Sequence, residues 1–225
     1  MSIEFIIGML AIGAFSGLLM AVLQWMAMSE RFKQYRIRTP DKQSIPLSRK
    51  VENIGLNMLF SLLIFVAALY LFSGYLLDAT AVSWVTIFGQ TLAVLLLYDF
   101  MYYIMHRTLH HPKLMKYIHG VHHRARFPTA TESLFLHPVE AFAGIALLLI
   151  STAMIGPVSP VAFLCIFFLH TVINILVHAN LVLPHPIFKL TNYWAMKHDY
   201  HHGKHLNRNY ASIFPFWDMM FDTYK

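Results

Sequence analysis

Residues 3–28, IEFIIGMLAIGAFSGLLMAVLQWMAM, contain one charged side chain, Glu4. As helix, such a run crosses the ~30 Å hydrocarbon core of a bilayer. No other feature restricts the fold so strongly, because backbone amides in lipid must be satisfied within their own segment, which leaves helices or closed barrels. The rest of the chain follows suit: residues 54–77, 81–105, 139–155 and 160–178 are further apolar runs, parted by Leu77-Asp78-Ala79-Thr80 and by Gly156-Pro157-Val158-Ser159-Pro160. The last two runs are short, so four to five spans are expected, with a hairpin that need not cross fully. With 57% hydrophobic and 12% charged residues and a mean hydropathy of +0.54, the composition excludes an ordinary soluble domain. The reading is an all-α integral membrane bundle, expected to form one domain over residues 1–225, since no linker, repeat or low-complexity tract divides it. A signal peptide is not expected at residues 3–28, because no basic residue precedes the run and it is longer than a signal core.

The basic residues orient this bundle. All seventeen Lys and Arg fall in three segments, seven in 29–53, five in 106–138 and five in 179–225. Five spans put these segments on one face, and loops rich in Lys and Arg stay cytoplasmic. The expected product is a multi-pass protein with a cytoplasmic cap, in contact with membrane lipids and with no nucleic-acid partner.

That cap holds the chemistry. All fourteen histidines lie between His106 and His205, and most fall in three groups: His106 and His110; His119, His122 and His123; His198, His201 and His202. Imidazole is the commonest protein ligand for transition metals, and rings four apart on a helix face one ion. His119 and His123 share a face with His122 turned away from it by about 100°, so one segment can serve two ions, and the group from His198 to His202 repeats the pattern. His178, at the end of the fifth run, is a candidate ninth ligand. His170 and Asn174 extend its polar stripe, with His170 expected to line a cavity. Asp99 lies inside hydrocarbon depth, where a carboxylate is costly without a partner. Its expected task is to accept a hydrogen bond from the far nitrogen of a ligand histidine and fix its tautomer.

Eight or nine nitrogens shared between two ions leave one or two open positions on each, and so many imidazoles favour iron over four-coordinate zinc. The lone Cys165 excludes a cysteine-held iron–sulfur cluster, a CxxC pair and a disulfide framework. The sequence lacks G-x-G-x-x-G as well, so electrons are expected from a separate carrier. A histidine-rich transporter would set its ligands at the membrane midplane, and a bis-histidine haem protein would leave the HxxHH groups unexplained. Both stand as alternatives that metal content and an absorption spectrum would separate.

Taken in order, the run from Asp99 to His111, then Ile118 to His123, His137-Pro138-Val139-Glu140, His178-Ala179-Asn180 and His198 to His202 resemble the fatty acid hydroxylase/sterol desaturase superfamily over residues 95–225. The stretch from Asn209 to Tyr224 is similar to that family's ending, with Ala211 and Asp222 where glycine is common. The resemblance implies an enzyme that uses two iron ions (Fe2+/Fe3+) and O2 to hydroxylate or desaturate a fatty acyl or sterol-like lipid. It implies His106, His110, His119, His122, His123, His178, His198, His201 and His202 as ligands with His137 supporting them, beside Asp99 and Asn174, which their polar positions in the apolar runs make supporting candidates. With no cofactor motif of its own and a basic face beside the histidines, the chain is expected to take electrons from an acidic carrier such as a ferredoxin or a cytochrome b5-like protein with its reductase.

Overall fold

The computed structural model describes residues 2–39, 45–203 and 205–225; Lys42 and Lys204, two of the orienting basic residues, lie outside the described residues. Among the described residues, five helices are long and apolar enough to cross a membrane: α1 (Ile3–Met28), α2 (Leu47–Leu76), α3 (Trp84–Leu109), α5 (Pro138–Ile155) and α6 (Pro160–Val177). Three shorter ones, α4 (Pro112–Tyr117), α7 (Lys189–Gly203) and α8 (Phe216–Met220), build the cap with four 3-10 turns, and no strand occurs among the described residues.

Local chemistry sets the helix ends. Ser2, Ser83 and Ser159 side chains accept amide hydrogen bonds at the starts of α1, α3 and α6, and Pro138 and Pro160 open α5 and α6, where a missing N–H costs nothing. Gly156 ends α5 with φ of 110°, a left-handed conformation that side chains resist.

The central helices are α3, α5 and α6, with α1 against α6 and α2 against α5. Lipid is as apolar as leucine, so close fit and interhelical polar contacts must hold such a bundle together. The fit is tight where α1 meets α6: a methyl group on Gly8 would come within 2.8 Å of Leu164. Phe65 stacks at an angle on Phe163 and Phe167, with centroids 5.9 and 4.9 Å apart. His170 Nε2 meets the Tyr98 hydroxyl at 3.0 Å inside the bundle, while Leu10, Leu18, Leu59, Leu63 and Trp84 stand exposed on its outer surface.

The two turns opposite the cap lock together, since Asp78 N–H donates to Val158 O at 2.9 Å and Val158 N–H to Leu76 O at 3.0 Å. At the other end, residues 29–39 strap across the base of the cap. Ile37 N–H donates to Asn180 O at 3.1 Å, and the Arg38 guanidinium donates to Asp199 of α7 at 2.8 Å. The three basic segments thus share one end of the bundle.

The second apolar run forms a helix from Leu47 rather than from residue 54. Its added turns carry Lys50 and Asn53 to residues 132–136, where Lys50 pairs with Glu132 and Asn53 donates to Leu136 O at 3.0 Å; Asn57, one turn on, donates to the same oxygen at 2.8 Å.

Candidate metal centre

The nine imidazoles singled out from the sequence converge in two groups. His106, His110, His119, His123 and His201 form one; His122, His178, His198 and His202 form the other, and within each group the ligand-capable nitrogens lie within 4.8 Å of one another. His106 lies in α3 and His110 caps its end. His119, His122 and His123 come from the 3-10 turn His119–Arg124, His178 caps α6, and α7 carries the rest. The tight turn sends His122 one way and His119 and His123 the other. His123 and His202 stack across the boundary with centroids 4.3 Å apart, so the two groups adjoin.

The partners of the outer nitrogens determine what the inner ones can do. His106 Nδ1 lies 2.7 Å from Tyr210 O, His201 Nδ1 2.6 Å from Arg208 O, His122 Nδ1 3.3 Å from Phe135 O, His178 Nδ1 2.8 Å from Asn174 O and His202 Nδ1 3.2 Å from Ala125 O. A carbonyl can only accept, so each of these Nδ1 atoms carries the proton and each Nε2 presents a bare lone pair. His119 Nδ1 faces Glu140 Oε1 at 2.8 Å with the same consequence.

Bare nitrogens then face one another. His106 and His119 Nε2 stand 3.1 Å apart, His122 and His178 Nε2 3.2 Å, and His122 and His202 Nε2 3.1 Å. With no proton between them these are not hydrogen bonds but opposed lone pairs, which a cation between them would reconcile. Two nitrogens, each about 2.1 Å from one transition-metal ion and bound at right angles, stand about 3.0 Å apart. The donor set therefore fits a metal. Two further observations agree with it: His110 Nε2 and His201 Nε2 are buried with no hydrogen-bond partner, and so is Glu140 Oε2, a carboxylate oxygen that gains from a nearby positive charge.

Burial keeps these rings neutral. It pushes His110 and His178 down to about 4 and His122 down to about 3. Burial first and neighbouring imidazoles second also push His119, His123, His198, His201 and His202 well below the usual histidine range. Neutral imidazole is the form that binds metal.

Of the three supporting residues expected from the sequence, Asp99 and His137 stand elsewhere, and Asn174 reaches an imidazole through its backbone. Asp99 meets no imidazole. Its carboxylate accepts the amides of Ser212, Ile213 and Phe214 at 2.9, 2.8 and 2.8 Å, because the segment after Tyr210 folds over α3 and brings unpaired N–H groups to it. His137 caps α5, its Nδ1 accepting Val139 N–H at 3.2 Å; with Pro138 at the first helical position the ring turns back on its own helix. Three residues on, Glu140 points inward and takes the role expected of Asp99. The motif marked the right segment, and the side chain that reaches a cluster is its last residue. Asn174 meets His178 through its backbone carbonyl, as the residue four earlier in the same helix. His170 lies apart from both groups, against Tyr98.

Backbone carbonyls supply most of the outer contacts, and they carry no side-chain signature by which a sequence could reveal them. Asp222, at a position where glycine is common, adopts φ of 52°. The left-handed turn is thus kept, by a residue type that tolerates it better than most. Beside the five-histidine group, a cleft of about 330 Å³ is bordered by His110, Met115, Leu206, Asn207 and Tyr210.

Comparison with known proteins gives the chain's relatives. The profile of the fatty acid hydroxylase family matches residues 91–223. Methylsterol monooxygenase 1 of Rattus norvegicus is 32% identical over 149 residues, covering 62% of this chain and 48% of the relative. Very-long-chain aldehyde decarbonylase GL1-11 of Oryza sativa subsp. indica is 34% identical over 151 residues, covering 63% and 54%. The chain spans about half the length of these relatives. Very-long-chain aldehyde decarbonylase GL1-8 of the same plant is 28% identical over 221 residues, covering 93% of this chain and 80% of the relative. No solved structure matches. The profile covers more than half of the chain, including every residue of both histidine groups, and on that ground this multi-pass membrane protein belongs to the fatty acid hydroxylase family.

Proposed function

We propose that the chain, as one domain over residues 1–225, is an O2-dependent di-iron oxidoreductase that hydroxylates or desaturates a fatty acyl or sterol-like lipid within the membrane. The observation that carries this reading is the pair of adjoining all-imidazole groups, their lone pairs turned inward, at one end of an apolar bundle. His106, His110, His119, His123 and His201 would hold one iron, and His122, His178, His198 and His202 the other. Bound iron would supply the activation of O2 and the removal of hydrogen from an unactivated carbon. The protein's own residues orient and insulate: the carbonyls and Glu140 fix the tautomers of His106, His119, His122, His178, His201 and His202, which raises their basicity, and the buried surroundings keep bulk water from the reacting carbon. The relatives' names, a methylsterol monooxygenase and very-long-chain aldehyde decarbonylases, favour a lipid substrate.

A transporter reading is weaker, since the groups sit at the ends of α3 and α6 rather than midway along them. A haem reading uses two rings and leaves the others facing one another. The basic face is proposed to be cytoplasmic and to receive an acidic electron carrier, a ferredoxin or a cytochrome b5-like protein with its reductase, drawn by long-range attraction.

The test is metal analysis of the purified chain followed by turnover on extracted membrane lipids with a reduced carrier. The expected result is two irons per chain, no haem band, and a lipid that gains one oxygen atom or loses two hydrogens. Iron-free protein that converts lipid, or iron-loaded protein that converts none with any donor, would overturn the proposal. Sustained turnover on NAD(P)H alone would remove the external carrier from it.

A further inference from the structure

A second buried polar cluster lies beside the histidines, on the segment from Arg208 to Thr223. Asp218 is fully enclosed, at 0% exposure. Its Oδ1 accepts Tyr210 N–H at 2.7 Å and the Thr223 hydroxyl at 2.9 Å; its Oδ2 accepts Ala211 N–H at 3.1 Å and the Lys197 ammonium at 2.8 Å. Lys197, buried as well, also donates to Ala211 O at 2.8 Å. Sealing an ion pair from water is weak evidence for stability, since the desolvation cost rivals the attraction. The segment it pins gives another reason for its presence.

The peptide between Tyr210 and Ala211 is a rigid trans plane, so its N–H and C=O point in opposite directions. Asp218 holds the N–H side at Ala211. The C=O side is Tyr210 O, which accepts from His106 Nδ1 at 2.7 Å. One plane therefore connects a buried negative charge to a ring of the five-histidine group. A carboxylate on one end of a peptide polarises it and strengthens the acceptor at the other. The neighbouring Arg208 O holds His201 of the same group. None of the carbonyls behind the four-histidine group, those of Ala125, Phe135 and Asn174, belongs to this segment.

We propose that Asp218 is a positioning residue for the five-histidine group, acting on His106 through the Tyr210–Ala211 peptide with Lys197 as its counter-ion. The inference rests on the two-metal reading above, and the experiment separates the two. Metal-free full-length protein in lipid nanodiscs is titrated anaerobically with Fe(II), and the ions bound are counted and resolved spectroscopically. Wild-type protein that fails to take two ions defeats the two-metal reading itself. Given two in wild type, Asp218→Asn is expected to keep one ion at full affinity and to hold the other about 10- to 100-fold more weakly. Both ions held as in wild type, or both weakened equally in a folded chain, would overturn the proposal, because a merely structural residue has no reason to favour one group. If Asp218→Asn does not fold, Lys197→Met decides. It leaves the amide contacts of Asp218 in place and should weaken the same single ion several-fold, with recovery in Lys197→Arg; no change in Lys197→Met overturns the inference.

Discussion

The two histidine groups use the same ring and differ in what stands behind it. The four-histidine group is backed by three neutral carbonyls: Ala125 behind His202, Phe135 behind His122 and Asn174, four residues earlier in the same helix, behind His178. The five-histidine group has the carboxylate of Glu140 directly behind His119, and carbonyls of the Arg208–Tyr210 stretch behind His201 and His106. One site is framed by neutral acceptors. The other has a carboxylate among its acceptors. Identical ligand types can therefore create unequal ions: an octahedral ion would have one vacant position among five rings and two among four, and the anionic frame favours higher positive charge at the first.

Removing one ring from each group challenges this comparison most severely. His201→Ala and His122→Ala should each abolish lipid turnover, yet each should strip only the ion of its own group, with helix content by circular dichroism unchanged because the spans do not depend on metal. Retention of both ions in either variant would break the division into groups. A smaller effect is expected from Glu140→Gln, which keeps an acceptor for His119 and removes the charge. Affinity for the five-histidine ion should fall about 10- to 100-fold with the other ion unaffected, measured by competition with a chelator; equal weakening of both would mean that the charge is shared. The mildest test is Asp222→Gly. Asp222 sits at φ of 52° and its carbonyl accepts from Arg208 at 2.5 Å, so glycine should relieve about 1 kcal/mol of left-handed strain and raise the thermal midpoint by about 2–4 °C. A fall would show that the aspartate side chain contributes something the backbone does not.

Much of this was legible in the sequence. The span 3–28 coincides with α1, and 160–178 exceeds α6 by one residue, because hydropathy reports contact with lipid. The start of α2 was not legible for the same reason: residues 47–53 are polar but for Leu47 and Val51, extend beyond the apolar stretch and bring Lys50 and Asn53 to residues 132–136. Helical spacing sorted His119 with His123 and set His122 apart, and the structure groups them so. Spacing says nothing of Asp99 and Glu140, whose partners are far away in the chain. Asp99 was expected to face an imidazole since a buried charge requires a partner. The requirement holds, but three amides from a segment more than a hundred residues later meet it.

The level at which the rings stand has a further consequence. Helix α6 has 18 residues, a rise of about 27 Å, which nearly fills the ~30 Å hydrocarbon core, and His178 caps its end. With α6 laid across that core, the rings would stand near the plane where lipid headgroups begin. For the lipid oxidation proposed above, that depth acts as a ruler. A molecule anchored by its polar end offers the carbons next to that end, while carbons near its tail hang a membrane leaflet away. Regioselectivity would then be written first into the height of the histidines along their helices, and only second into the shape of the cavity.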